Sequence, residues 1–181
     1  MLELAILGFL YDRPSYGYDL RGRAAALLGH VRPVADGTLY PAIKRMESAG
    51  WLVRQDEPGV AAAPRRMLHL TDAGRAELRR RLREPGDLEI SDENKWFVLL
   101  AFLRHLDDPA AQAKVLRRRM EFLAQPSSFF YEGDRPVRAE EFGDPFRRGL
   151  LSIARATSLA ELTWLRETLG SLEAWSGRTP T

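Results

Sequence analysis

The sequence predicts a mainly α chain with one β-hairpin in its N-terminal half and a helical C-terminal region. Apolar residues recur at helical spacing, as in Leu2, Ile6, Leu7 and Leu10, and again in Leu151, Leu159, Leu162, Leu165, Leu169 and Leu172. Two short runs lack that period, Trp51 to Arg54 and Arg66 to Leu70, and a Pro58-Gly59 turn signal lies between them. Pro and Gly punctuate the helical runs at Pro14, Gly29, Gly50 and Pro85-Gly86.

Taken in order, Leu2 to Leu10 is the first helix, stopped at Pro14. Ser15 is placed to cap a second helix, Tyr16 to Leu28, which Gly29 ends; His30 to Ala35 is a linker. The third helix covers Asp36 to Ala49. Pro41 lacks an N–H and belongs in a first turn, so Thr38 is the favoured cap, with Asp36 covering an initial tight turn. Gly50 is its C-cap glycine. After the two strands, Thr71-Asp72 caps a fourth helix, Ala73 to Arg83. Helix, helix, helix, hairpin, helix is the order of a winged helix-turn-helix with a two-stranded wing, expected over residues 1–84. Residues 85–181 are read as a helical dimerisation and ligand-sensing domain. It would hold helices at Asp92 to Leu106, Ala110 to Ala124 and Pro145 to about Trp175, with an irregular connection at 126–144. Ser158 and Glu161 have capping-box spacing, so the last helix can break there.

Composition narrows the function. The chain has 181 residues and no cysteine, which excludes disulfide scaffolds, thiolate metal sites and cysteine nucleophiles. His30, His69 and His105 are far apart and lack paired ligand spacing, so no metal site is expected. No Gly-rich phosphate loop or nucleophile elbow is present. The reading is therefore neither an enzyme nor a cofactor protein, with no catalytic residue assigned. The longest apolar runs, such as Phe97 to Leu103, are too short to span a bilayer, and the expected compartment is the cytoplasm. Residues 1–84 carry 14 Lys and Arg against 10 Asp and Glu, whereas the rest is mildly acidic. A DNA-facing N-terminal module with a dimerising tail fits that asymmetry.

The third helix is the informative one. Leu39, Ile43 and Met46 form one apolar stripe, while Thr38, Tyr40, Pro41, Lys44 and Arg45 lie off it. A phenol, a hydroxyl and two adjacent cations near a helix N-terminus suit phosphate and groove edges. Arg54, Arg65 and Arg66 on the wing strands would reach flanking DNA. Tyr16 and Tyr18 read as packing residues at the entry of the second helix, with DNA contact the alternative, and Arg75 to Arg83 as a solvated basic face. Trp96 and Phe97 open the next helix as dimer core or as the wall of a ligand pocket.

Several segments in this order resemble the PadR family of transcriptional regulators. They are Pro14-Ser15-Tyr16-Gly17-Tyr18-Asp19-Leu20, Gly37-Thr38-Leu39-Tyr40-Pro41-Ala42-Ile43, Arg45-Met46-Glu47 with Gly50-Trp51-Leu52, and Pro64-Arg65-Arg66 with Leu70-Thr71-Asp72-Ala73-Gly74. Glu161-Leu162-Thr163-Trp164-Leu165 is similar to the family's final helix. The resemblance implies a dimeric repressor on double-stranded DNA, released by a small, often aromatic, effector. Thr38, Tyr40, Pro41, Lys44 and Arg45 would contact DNA from the recognition helix, and Arg65 and Arg66 from the wing. Two other readings stay open: a MarR-type regulator, and a winged-helix protein-interaction module without DNA binding. Ala61-Ala62-Ala63 puts no cation at the wing tip, which leaves the wing contacts open.

Overall fold

The first helix, α1 (Leu2–Asp12), is apolar almost all round: Leu4, Ala5, Ile6, Leu7 and Leu10 are all buried. Such a helix must be enclosed by others. Around it lie α2 (Gly17–Leu28), α3 (Asp36–Ser48), α4 (Asp72–Arg83) and α6 (Glu93–Phe102), together with strand β3 (Arg65–Leu70). The computed structural model describes residues 1–28, 35–57, 65–125 and 131–176. The His30 linker, the Pro58-Gly59 turn, Ala61 to Pro64 and Pro126 to Phe130 lie outside them. The chain divides into two compact units, Met1–Asp107 and Asp108–Thr181.

The first unit therefore runs past the expected boundary at residue 84. Residues expected as a linker form a short helix, α5 (Asp87–Ser91), and α6 ends in a 3-10 turn, Leu103–Leu106, instead of continuing as one α-helix. The reason is packing. The Phe102 ring meets Phe9 of α1 edge-on at 5.1 Å, and Trp96, Val98 and Leu99 are buried. Tyr11 and the buried His105 are also in ring contact at 4.3 Å. Burial lowers the His105 pKa, and Asp12, whose Oδ1 lies 3.1 Å from Nε2, opposes that shift.

The sheet has a third strand that the sequence does not announce. Ser15–Tyr16 is a two-residue strand, β1, paired antiparallel with β3 (Ser15 opposite Leu68), and β2 (Leu52–Glu57) lies on the other side of β3. Ser15 is thus a buried strand residue, not a helix cap. β2 continues through Gln55, Asp56 and Glu57, expected as loop, because each finds a partner on β3, with Asp56 opposite Arg66. Alternation places Leu52, Arg54 and Asp56 on one face with their partners Leu70, Leu68 and Arg66. That face is apolar at its base and charged further out.

The wing is fastened to its neighbours by the residues of the Leu70-Thr71-Asp72-Ala73-Gly74 segment. Thr71 Oγ1 accepts from the Gly74 N–H at 3.0 Å, capping α4, and its hydroxyl donates to the Gly50 carbonyl at 2.7 Å. A Cβ on Gly74 would sit 2.3 Å from the Trp51 carbonyl oxygen, so only glycine allows this approach. Gly50 itself has φ +74° and ends α3 in a Schellman motif, its N–H on Glu47 and that of Trp51 on Met46.

In the second unit, α7 (Pro109–Ala124) packs on α8 (Pro145–Ser176). Asp108 caps α7 and Pro109 opens it. Between the helices, Tyr131–Glu132 and Arg135–Pro136 form a hairpin, β4 and β5, and a 3-10 turn follows at Ala139–Glu141. α8 does not break at Ser158. Glu161, the candidate capping-box partner, instead receives a bidentate ion pair from the buried Arg119 at 2.8 and 2.9 Å. Leu151, Leu165 and Leu169 face the core, whereas Leu159 is exposed.

Candidate nucleic-acid interface

α3 begins three residues earlier than its proline suggests. Ala35 is the N-cap, and the Thr38 and Leu39 N–H groups both reach its carbonyl at 2.9 and 3.1 Å. The first of these is a 3-10-type bond. Pro41 consequently lies inside the helix, beyond its first turn. Leu39, Ala42, Ile43 and Met46 are buried, so the opposite face, with Pro41, Lys44 and Ser48, meets solvent.

The two flanks of that exposed face differ. On the sheet side, Tyr40 is 47% exposed, and with Pro41, Lys44, Glu47 and Arg54 it lines an open groove of about 690 Å³. A second groove of about 460 Å³ continues from it. Tyr40 and Ile43 line it together with Arg54, Arg66 and Leu68 of the sheet and Tyr16, Gly17 and Tyr18 at the α2 entry. A Cβ on Gly17 would approach the Tyr40 ring to 3.3 Å, a tight contact that glycine avoids. Tyr16 and Tyr18 stack in parallel, 5.9 Å between centroids, and Tyr18 is largely exposed. Both line this groove, a position that fits the surface-contact alternative for the pair as well as the packing one.

On the other flank, Arg45 turns away from the grooves toward α1. It donates to Glu3 Oε1 at 3.0 Å, and Glu3 also pairs with Arg81 at 3.4 Å. Arg81 and Arg80 are both bound to Glu77, whose pKa is held at about 2 chiefly by the hydrogen bond from Arg80. Arg79 reaches the Tyr11 hydroxyl at 2.8 Å. Much of the basic run on α4 is thus tied to the protein.

The remaining residues expected in the interface have these places. Thr38 is exposed near the start of α3. Arg66 lines the second groove and pairs across the hairpin with Asp56 at 3.5 Å. Arg65 stands opposite Glu57 in β3, and its side chain lies outside the described residues. Trp96 is fully buried in the core, and the adjacent Phe97 is half-exposed. Arg54 forms a fork with Glu47, Nε donating to Oε1 at 2.5 Å and Nη2 to Oε2 at 2.9 Å.

A buried three-helix cluster, a hairpin fastened to its last helix and an exposed third helix beside that hairpin define a winged helix-turn-helix module. Residues 6–80 match the family model described as the transcriptional regulator PadR-like family. Among solved structures, the chain is similar to Bacillus subtilis PadR in complex with operator DNA, at 20% identity and a TM-score of 0.45 over 93% of this chain and 98% of that one. It is also similar to the PadR-like transcriptional regulator BC1756 from Bacillus cereus, at 19% identity and 0.40 over 96% and 99%. Among curated proteins, none matches the sequence.

Proposed function

We propose that the chain is a homodimeric repressor that grips double-stranded DNA through α3 and the wing. The observation that carries this reading is the exposed face of α3, where Tyr40, Pro41 and Lys44 line an open groove bounded by Arg54. In this reading Tyr40 and Lys44 enter the major groove, Thr38 contacts the backbone near the helix start, and Arg66 and Arg65 reach flanking phosphates. Arg45, held by Glu3, serves as a long-range positive charge and not as a base contact.

Dimerisation is supported by α8. Phe146, Leu150, Ile153 and Trp164 lie on one stripe of this helix, spaced for a single face, and all four are exposed. A second copy covering that stripe produces a two-fold axis. Such a dimer presents two recognition helices roughly 34 Å apart, matching a pseudo-palindromic operator. The dimer represses by occupying promoter DNA. The family resemblance adds release by a small aromatic effector, with Phe97 the accessible member of the Trp96-Phe97 pair.

The test is fluorescence anisotropy of the full chain on the DNA upstream of its own gene and on random duplex, across a salt series. Tyr40→Ala and Lys44→Ala are measured in parallel. Selective, salt-dependent binding weakened by both substitutions supports the reading. Equal, weak binding to both duplexes, indifferent to both substitutions, overturns it in favour of a protein-interaction module.

A further inference from the structure

We propose that Glu47 is a positioning residue for Arg54, and that the pair sets how sharply the α3 groove discriminates among duplexes. The inference rests on the DNA-binding reading above. An anion is out of place here on electrostatic grounds. Glu47 sits in the last turn of α3, at the negative end of the helix dipole, and shares a groove wall with Lys44 on a surface assigned to phosphates. Arg54 offsets it. The strand alternation that turns Arg54 toward α3 brings its guanidinium onto Glu47 as a two-bond fork.

That fork has two consequences. It holds a long side chain in one arrangement before DNA arrives, which removes part of the ordering cost on contact. It uses only some of the guanidinium N–H groups and leaves the others for a phosphate. At a distance the two charges cancel and add little attraction for arbitrary duplex. At contact, the ordered donors reward a backbone that follows the groove. Without Glu47, Arg54 becomes a mobile cation that attracts any phosphate. Without Arg54, Glu47 becomes an uncompensated anion facing DNA.

The experiment compares wild type, Arg54→Ala, Glu47→Ala and the double variant. Each is titrated by anisotropy against the tightest duplex recovered from a random-sequence selection with the wild-type protein, and against its scrambled version, across a salt series. Arg54→Ala is expected to weaken the selected duplex by about tenfold and flatten the log–log salt slope by about 0.9. Glu47→Ala is expected to tighten the scrambled duplex, narrowing discrimination. The double variant is expected to recover about threefold or more of the Arg54→Ala loss, the signature of coupled neighbours. Thermal melts confirm that the variants fold, and Glu47→Gln replaces Glu47→Ala if that protein does not. Equal affinities for Arg54→Ala and the double variant overturn the proposal, as does an Arg54→Ala protein with unchanged affinity and slope. A wild-type protein that binds neither duplex overturns the DNA-binding reading itself, a distinct failure.

Discussion

The two units arrange their exposed apolar surface differently: in the first it is spread over several elements, as at Tyr18, Val53 and Leu88, and in the second it gathers on α8. In Met1–Asp107, α1 is enclosed and large side chains such as Trp96, Leu7 and Met46 are fully buried. In Asp108–Thr181, α8 buries one stripe against α7 and leaves a second in solvent, with Phe146 85% and Ile153 69% exposed. Single exposed apolar residues are ordinary, but several on one helix face mark a surface meant to be covered. The first unit has what it needs to fold and to present α3. In the proposed function the exposed stripe of the second is covered by its own copy.

The contrast can be broken most forcefully by cutting the chain. A fragment ending at Asp107 is expected to melt cooperatively. One ending at Glu84 loses Trp96 and Phe102, and each buried aromatic is worth about 3–5 kcal/mol, so its transition is expected to broaden or vanish in a calorimetric scan. On the other side of the comparison, Ile153→Asp with Trp164→Asp is expected to weaken self-association by about 100-fold or more, read as a monomeric sedimentation coefficient. The α3 unit should keep its near-ultraviolet circular dichroism in that variant.

Within the first unit, Gly74→Ala is expected to cost about 2–3 kcal/mol in denaturant titrations, because the new Cβ meets a backbone oxygen that cannot swing aside. The flanks of α3 give a finer comparison. Lys44→Ala is expected to weaken duplex binding about tenfold and lower the salt slope, whereas Arg45→Ala changes affinity by less than about threefold. The smallest effect concerns Glu77. Its folded-state pKa of about 2 lies below the unfolded value, so its stabilisation is present above the ordinary carboxylate range and is lost as pH falls through about 2. The stability difference between wild type and Glu77→Gln, about 1 kcal/mol near neutral pH, should shrink over that acid range.

Much of the N-terminal module is legible in the residues because its signals are local. Gly50 must take a positive φ, Thr71 has a hydroxyl at capping distance, and Leu39, Ile43 and Met46 fall on one face at helical spacing. The exposed Tyr40-Pro41-Lys44 surface follows from that same period, since whatever is not on the apolar stripe faces outward. Other features depend on partners distant in sequence. Ser15 and Tyr16 form a strand only because β3 offers them an edge at Leu68 and Met67. Arg45 is paired with Glu3, which lies 42 residues before it. The Ser158-Glu161 spacing suits a helix start, yet Arg119 claims Glu161 and α8 runs through.

Helical period, capping chemistry and turn glycines therefore suffice to read the main helices, the exposed face of α3 and the wing strands from the chain alone, because each is settled within a few residues by backbone geometry and hydrogen bonding. Which arginines stay available to a ligand, where one unit ends and the next begins, and which stripe of α8 is left uncovered are settled differently. They depend on which charges and apolar surfaces folding brings together, and a linear sequence does not encode those distances locally.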